Sequence, residues 1–218
     1  HEDGIALCLP VKDDITKLDT KLSNNKVYEQ FRIFKTFSGY INIKNVADIN
    51  GHVLDGTIGD VIRYAEADHS RRLVDVISNI TKNPDIKLVF ISGPSSSGKT
   101  TFSQKLAIHL KIVGKNAVPL AMDNYFQDDE NIPLDEEGKK DYENIKNLDM
   151  QLFSSNINDM IAGKEVKVPE YNFATSKKEY KGRSIKLGKS DILIVEGIHA
   201  LNPIVTDIID SSKVYKIY

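Results

Sequence analysis

The run Gly93-Pro94-Ser95-Ser96-Ser97-Gly98-Lys99-Thr100 constrains this chain more than any other stretch, because it matches G-x-x-x-x-G-K-[ST] at every fixed position. That pattern belongs to a loop that wraps phosphate groups. Its flanks agree. Lys87 to Ile91 is a short apolar run of strand formers, and Phe102, Leu106, Leu110 and Val113 are spaced for one face of a helix beginning near Thr101. The expected order is strand, glycine loop, helix.

The residue types follow from what a triphosphate needs. Gly93 and Gly98 are expected in turns closed to residues with a Cβ, so that successive N–H groups point at the phosphates and the helix N-terminus adds partial positive charge. Pro94, Ser95, Ser96 and Ser97 fill a loop too tight for bulk and supply backbone donors. Lys99 is expected to reach the β- and γ-phosphates, Thr100 to place its hydroxyl on Mg²⁺, and Thr101 to continue the same first turn. The implied ligands are ATP or GTP with Mg²⁺.

Composition narrows the setting. The formal net charge is -2 and the sequence pI about 6.2, with no run of Lys/Arg, which argues against a protein that coats nucleic acid or a membrane surface. The single cysteine, Cys8, cannot form an internal disulfide and is read as a small buried hydrophobe in a reducing cytoplasm. No apolar run approaches a membrane span, and Ile5 to Val11 is too short and lacks the basic flank of a signal peptide. The chain starts at His1 and ends in an alternating stretch, Lys213 to Tyr218, so it reads as a fragment. His1 and Cys8 lack the paired spacing of a metal site.

In chain order, residues 1–84 read as a partial small α+β domain with a helical connector. Candidate strands are Ile5 to Leu9, Ile41 to Ile43 and Val53 to Leu54, with turn signals at Asn24-Asn25, Ser38-Gly39 and Asn50-Gly51. Tyr28, Phe31, Phe34, Phe37 and Tyr40 recur every three residues and are expected to form a core-facing helical stripe. Ile58 to Lys82 has helical spacing and stops at Asn83-Pro84. From residue 85 the expectation is an α/β fold, a doubly wound parallel sheet around the phosphate loop. Gly114 is placed to end the first helix, Ala117 to Ala121 is a second strand, and Asp123 just past it faces the crevice at the strands' carboxyl ends. Residues 127–147 are acidic and aperiodic, a long loop of the functional or disordered kind. A helix over Leu148 to Ile161, closed by Gly163, precedes a β-hairpin spanning Val166 to Leu187. Asp191 to Val195 is a buried strand that delivers Glu196 toward Mg²⁺, and His199 is expected to be a packing or helix-start residue.

Taken with the phosphate loop, the motifs Asp123-Asn124-Tyr125-Phe126, Asp141-Tyr142-Glu143, Val168-Pro169-Glu170-Tyr171-Asn172-Phe173 and Glu196-Gly197-Ile198-His199 make residues 85–218 resemble the uridine kinase and phosphoribulokinase family of P-loop kinases. The region before them is similar to the upstream part of bacterial two-part uridine kinase homologues, which looks like the additional domain of threonyl-tRNA synthetases. This resemblance implies transfer of the γ-phosphoryl group of ATP or GTP to the 5′-hydroxyl of a nucleoside, in a cytoplasmic homo-oligomer acting in pyrimidine salvage. It implies that Asp123 is the catalytic carboxylate, together with Lys99, and lies near the metal with Thr100 and Glu196. It further implies that Asp141 binds ribose hydroxyls and that Tyr125 and Tyr171 line the nucleoside pocket.

Two departures matter. Uridine-specific members carry a base-reading histidine where this chain has Ser176, and loss of a planar donor removes discrimination that rests on paired polar groups. The family's lid, with its phosphate-clamping arginines, is expected beyond residue 218. Two alternatives stay open: a kinase of another small hydroxyl metabolite, and a nucleotide-dependent regulatory or RNA-associated module that would use the front region. A binding module of that kind has no need of Asp123 and Glu196.

Overall fold

The computed structural model describes residues 10–11, 14–18 and 25–218. The expectations placed on His1, on Cys8 and on a strand over Ile5 to Leu9 lie outside the described residues. The chain divides into two compact units, His1–Ser70 and Arg71–Tyr218.

In the first unit, a short strand β1 (Pro10–Val11) pairs antiparallel with β2 (Asp14–Leu18), and the other elements among the described residues are helices: α1 (Asn25–Tyr40), α2 (Val46–Leu54) and the first part of α3 (Ile58–Lys82). Neither Ile41 to Ile43 nor Val53 to Leu54 is a strand. Ile41 N–H donates to Phe37 O at 3.2 Å, continuing the helical turn, and Val53-Leu54 are the last residues of α2. A capping box explains why α2 wins. Asn45 Oδ1 accepts from Asp48 N–H (3.2 Å) while Asp48 Oδ2 accepts from Asn45 N–H (3.0 Å), which satisfies two orphan donors at the helix start. Gly39 and Gly51 accordingly sit inside helices. The aromatic stripe is on a helix as expected but is not buried, with Phe31 69%, Phe34 64% and Tyr40 81% exposed. Steps of three residues turn about 300° on an α-helix, so five such residues wind round the axis instead of holding one face.

The second unit takes the last turns of α3, so the division falls within the helix and not near residue 85. The reason is packing: Leu73, Ile77 and Ile80 are buried with the sheet's own side chains. Four parallel strands form that sheet: β3 (Leu88–Ile91), β4 (Asn116–Ala121), β9 (Asp191–Glu196) and β10 (Val214–Ile217), in spatial order β10-β3-β9-β4. Between them lie α4 (Lys99–Ile112), α5 (Met150–Ile161), β5 (Val166–Lys167), β6 (Glu170–Asn172), β7 (Lys177–Glu179), β8 (Ser184–Ile185) and, after β9, α6 (Pro203–Thr206). Strands β5 with β8 and β6 with β7 make two nested antiparallel pairs, so the expected hairpin is there in doubled form.

The two central strands are apolar through β3 and through residues 192–195 of β9 because both faces are covered. Leu88 and Phe90 of β3 with Leu193 and Val195 of β9 face α5, where Phe153, Ile157 and Met160 are buried. Val89 and Ile91 with Ile192 and Ile194 face the opposite layer, α3 and α4, with Leu106 and Leu110. β4 is an edge strand. It carries Pro119, whose carbonyl accepts from Arg183 Nη2 at 2.7 Å.

The order of strands places the site. β3 connects outward past β9 to β4, whereas β9 connects back past β3 to β10, so the two chain paths diverge between neighbouring strands. Ligand crevices in open α/β sheets form at such a divergence, outside the carboxyl ends. Ile91, Glu196 and Ala121 lie in one register row there.

Candidate active site

The phosphate loop leaves β3 at Ser92. Its conformation depends on Gly98, which caps α4 with φ +85, a left-handed value that a residue with a Cβ adopts at a cost. Gly93, unlike Gly98, does not have a left-handed φ; an added Cβ would lie 2.8 Å from Ser97 Oγ, a contact that rotation of the serine hydroxyl relieves. Ser96 takes the second left-handed turn, φ +57. Residues 94–98 are exposed, and Lys99 folds over the loop, with Nζ donating to Pro94 O at 2.8 Å. Thr101 lies in the first turn of α4, with its side chain exposed.

Across the crevice, Thr100 Oγ1 is 3.1 Å from each carboxylate oxygen of Glu196. The last residue of β9 and the first turn of α4 are therefore in direct contact, 96 residues apart in sequence. This donor set is made of hard oxygens, a hydroxyl beside a carboxylate. It fits Mg²⁺, which uses one or two protein oxygens and completes its shell with water and substrate phosphates. Among the described residues no three His, Cys, Asp or Glu side chains gather to hold a metal on their own.

Asp123 sits in the single 3₁₀ turn Met122–Tyr125 that ends β4, and it is half-buried. Burial pushes its carboxyl above the usual Asp value, and the nearby Lys99 and His199 oppose that rise only in part. The turn is clamped from the β9 side. An added Cβ on Gly197 would come within 2.6 Å of Met122 Cβ, so only glycine lets β9's exit pass this close beneath Asp123.

The neighbouring Asn124 Oδ1 accepts from Tyr171 N–H at 3.2 Å, which ties the Asp123 turn to β6. Tyr171 then packs edge-on against Phe126 (ring centroids 5.6 Å) and Phe173 (5.1 Å). Tyr171 is 8% exposed, and among the described residues its hydroxyl closes no hydrogen bond. Burial raises that hydroxyl's pKa, and Ser176, held at φ +51, lies near enough to oppose the shift without closing a hydrogen bond.

Tyr125 is placed differently from the pocket-lining position expected. It is 0% exposed, packs edge-on against Phe153 at 5.2 Å, and its oxygen accepts from Asn156 Nδ2 at 3.2 Å. Burial pushes its hydroxyl up to about 12. Phe126, one residue on, is the ring that meets Tyr171. The cause is that the 3₁₀ turn ends at Tyr125 and the chain becomes extended at Phe126 (φ -60, ψ 147), so the two rings leave the backbone in different directions. Asn124 and Phe126 stand in the motif that begins at Asp123, but the sequence reading gave them no role of their own; their contacts with Tyr171 supply one.

The acidic loop is ordered around Asp141. Asp141 Oδ1 accepts from Glu143 N–H and Oδ2 from Asn144 Nδ2, both at 3.1 Å. Tyr142 Oη donates to Asp129 Oδ1 at 3.4 Å, Lys140 pairs with the same carboxylate, and Asp129 N–H donates to Ser176 O at 3.0 Å. The loop thus rests on the β6–β7 pair. Among the described residues no helix is long and apolar enough to cross a membrane.

The sequence model of the Phosphoribulokinase / Uridine kinase family matches residues 88–215. Uridine kinases of Staphylococcus aureus strains JH9 and Newman are each 33% identical over 129 residues, 59% of this chain and 60% of theirs. The chain thus spans about 60% of the length of these curated relatives. A Bacillus stearothermophilus structure, that of a possible uridine kinase, superposes with TM-score 0.50 at 20% identity, covering 66% of this chain and 80% of its own. At that identity the likeness speaks for the fold alone.

Proposed function

Since the chain belongs to the phosphoribulokinase and uridine kinase family of kinases, we propose that it transfers the γ-phosphoryl group of ATP or GTP to the 5′-hydroxyl of a nucleoside in the cytoplasm. The observation that carries this reading is the meeting, at the ends of β3, β9 and β4, of Thr100, Glu196, Lys99 and the half-buried Asp123. A nucleotide-binding module has no use for a desolvated carboxylate there.

In this reading the loop N–H groups and Lys99 hold the β- and γ-phosphates, and Thr100 and Glu196 hold Mg²⁺. Mg²⁺ when bound neutralises charge on the phosphates. Asp123 accepts a hydrogen bond from the acceptor hydroxyl, aligns its oxygen with the γ-phosphorus and takes the proton as the new P–O bond forms and the nucleoside diphosphate leaves. A carboxyl raised above its ordinary value by burial is a better proton acceptor than an exposed one. The acceptor's base lies against Phe126 and Tyr171, with the unpartnered Tyr171 hydroxyl and Ser176 as its polar contacts, and Asp141 meets the ribose. Ser176 favours a broader set of bases than uracil, because a hydroxyl donates and accepts in turn.

The test is phosphoryl transfer from ATP-Mg²⁺ to a panel of nucleosides, following both ADP and phosphorylated product. Uridine or cytidine product is expected, and Asp123→Asn lowers turnover at least about a hundredfold with nucleotide affinity kept. ATP binding with no phosphorylated nucleoside transfers the reading to another hydroxyl acceptor. Full turnover in Asp123→Asn removes the catalytic role.

A further inference from the structure

The exit of β9 is locked to β3. Gly197 N–H donates to Ile91 O at 3.2 Å and Ser92 Oγ donates to Ile198 O at 3.0 Å. His199 follows directly, half-buried, and its Nε2 is 2.7 Å from Glu143 O, 56 residues away. A carbonyl only accepts, so Nε2 carries the proton and His199 is the donor whichever state Nδ1 is in. Glu143 is itself part of the turn that engages both oxygens of Asp141. One imidazole therefore bridges the strand end that bears Glu196 and the loop that bears Asp141.

The other described contacts of this loop run elsewhere. Asp129 N–H reaches Ser176 O, Lys178 N–H reaches Asp128 Oδ1 at 2.9 Å, and Asn147 Nδ2 reaches Tyr142 O at 3.2 Å. These bind the loop to the β6–β7 pair and to itself. Gln127 N–H to Asn147 O at 2.7 Å and Asp149 N–H to Tyr125 O at 2.8 Å join its ends at the Asp123 turn, and His199 adds the tie from the β9 exit to the Glu143 stretch between them.

We infer that His199 is a positioning residue of the kinase: by donating Nε2–H to Glu143 O, it sets the Asp141 turn at a fixed distance from the β9 exit, and so aligns the acceptor with Asp123. The effect on the acceptor rests on the kinase reading; the bridge itself does not. A histidine suits the task because its ring turns about only two torsions and loses little freedom when held.

The experiment compares wild type with His199→Phe, which keeps a planar ring and removes the donor, and His199→Gln, whose terminal amide can donate from nearly the same point. Two readouts are taken. The first is amide hydrogen exchange over residues 141–147 in the protein alone. The second is steady-state kinetics with ATP-Mg²⁺ and uridine. His199→Phe is expected to speed exchange in that turn and to raise the KM for uridine about two- to tenfold, the scale of one neutral hydrogen bond, with the KM for ATP unchanged; His199→Gln restores both. Unchanged exchange in His199→Phe overturns the inference, as does an equal defect in His199→Gln or a shift confined to the ATP KM. Should the wild type fail to phosphorylate uridine, that acceptor assignment falls while the exchange arm still decides for or against His199.

Discussion

The two halves of the crevice are built by different means. The nucleotide half is local: Gly93 to Thr100 is one contiguous segment whose turns are set by its own glycines and serines, and its lysine bonds to its own loop. The acceptor half is assembled from pieces far apart in the chain, through Tyr171 to Asn124, Lys178 to Asp128 and His199 to Glu143, each pair separated by 47 residues or more. Local construction makes a site that recurs wherever the motif occurs. Dispersed construction makes one that changes with any member, and acceptor choice is the property expected to vary.

Substitutions can break that contrast or sharpen it. The largest effect is expected on the nucleotide side. Lys99→Ala removes a charge-assisted contact and should weaken ATP binding about ten- to a hundredfold, the range of a hydrogen bond to a charged group. Titration calorimetry that finds ATP affinity unchanged would sink the phosphate-loop assignment. Next comes the joint between the halves: Gly197→Ala forces a Cβ to within 2.6 Å of Met122 Cβ and should destabilise by about 1–3 kcal/mol, as overpacking does. Denaturant unfolding measures this, and an unchanged midpoint would show that the Asp123 turn yields freely. On the acceptor side, Tyr171→Phe deletes a hydroxyl that closes no hydrogen bond among the described residues, so thermal stability should hold or rise. The KM for the acceptor nucleoside should rise by up to about tenfold. A fall in stability instead would mean that the hydroxyl serves the fold.

The smallest effect concerns Asp123 and the pH dependence of stability. Its folded-state pKa is raised above the unfolded value, chiefly by burial. The folded protein therefore binds this proton more tightly, and the associated stability is complete below the ordinary Asp value and lost as pH rises through the raised one. Asp123→Asn should accordingly raise the melting temperature slightly at neutral pH and give no gain at pH values below the ordinary Asp range. Equal melting curves at both pH values would deny the desolvation.

This contrast also governs what could be read in advance. β3, the phosphate loop, α4, β9 and the stop at Gly114 were legible because each is a local pattern: a continuous apolar run buried on both faces, a glycine spacing, a left-handed helix end. The placement of Asp123 and Glu196 at the carboxyl ends of β4 and β9 was legible by the same kind of local pattern, an apolar run that ends in a carboxylate. Tyr125 and Phe126 were not separable, since the end of a 3₁₀ turn sends one inward and the other to Tyr171 and no periodicity marks the switch. Nor was the burial state of the first unit's aromatic residues, because burial is a property of what surrounds a helix as well as of the helix. In α2 the capping pair Asn45 and Asp48 was a readable signal that outweighed the strand-like Val53-Leu54.

At the edge of the kinase sheet, Pro119 of β4 has no N–H to offer, and its carbonyl is already engaged by Arg183. A foreign strand laid along β4 would find a missing donor and an occupied acceptor at the centre of the strand. The arginine that holds the nested hairpins against the sheet thus also resists edge-to-edge aggregation, a guard against strand addition built from one side chain and one imino acid.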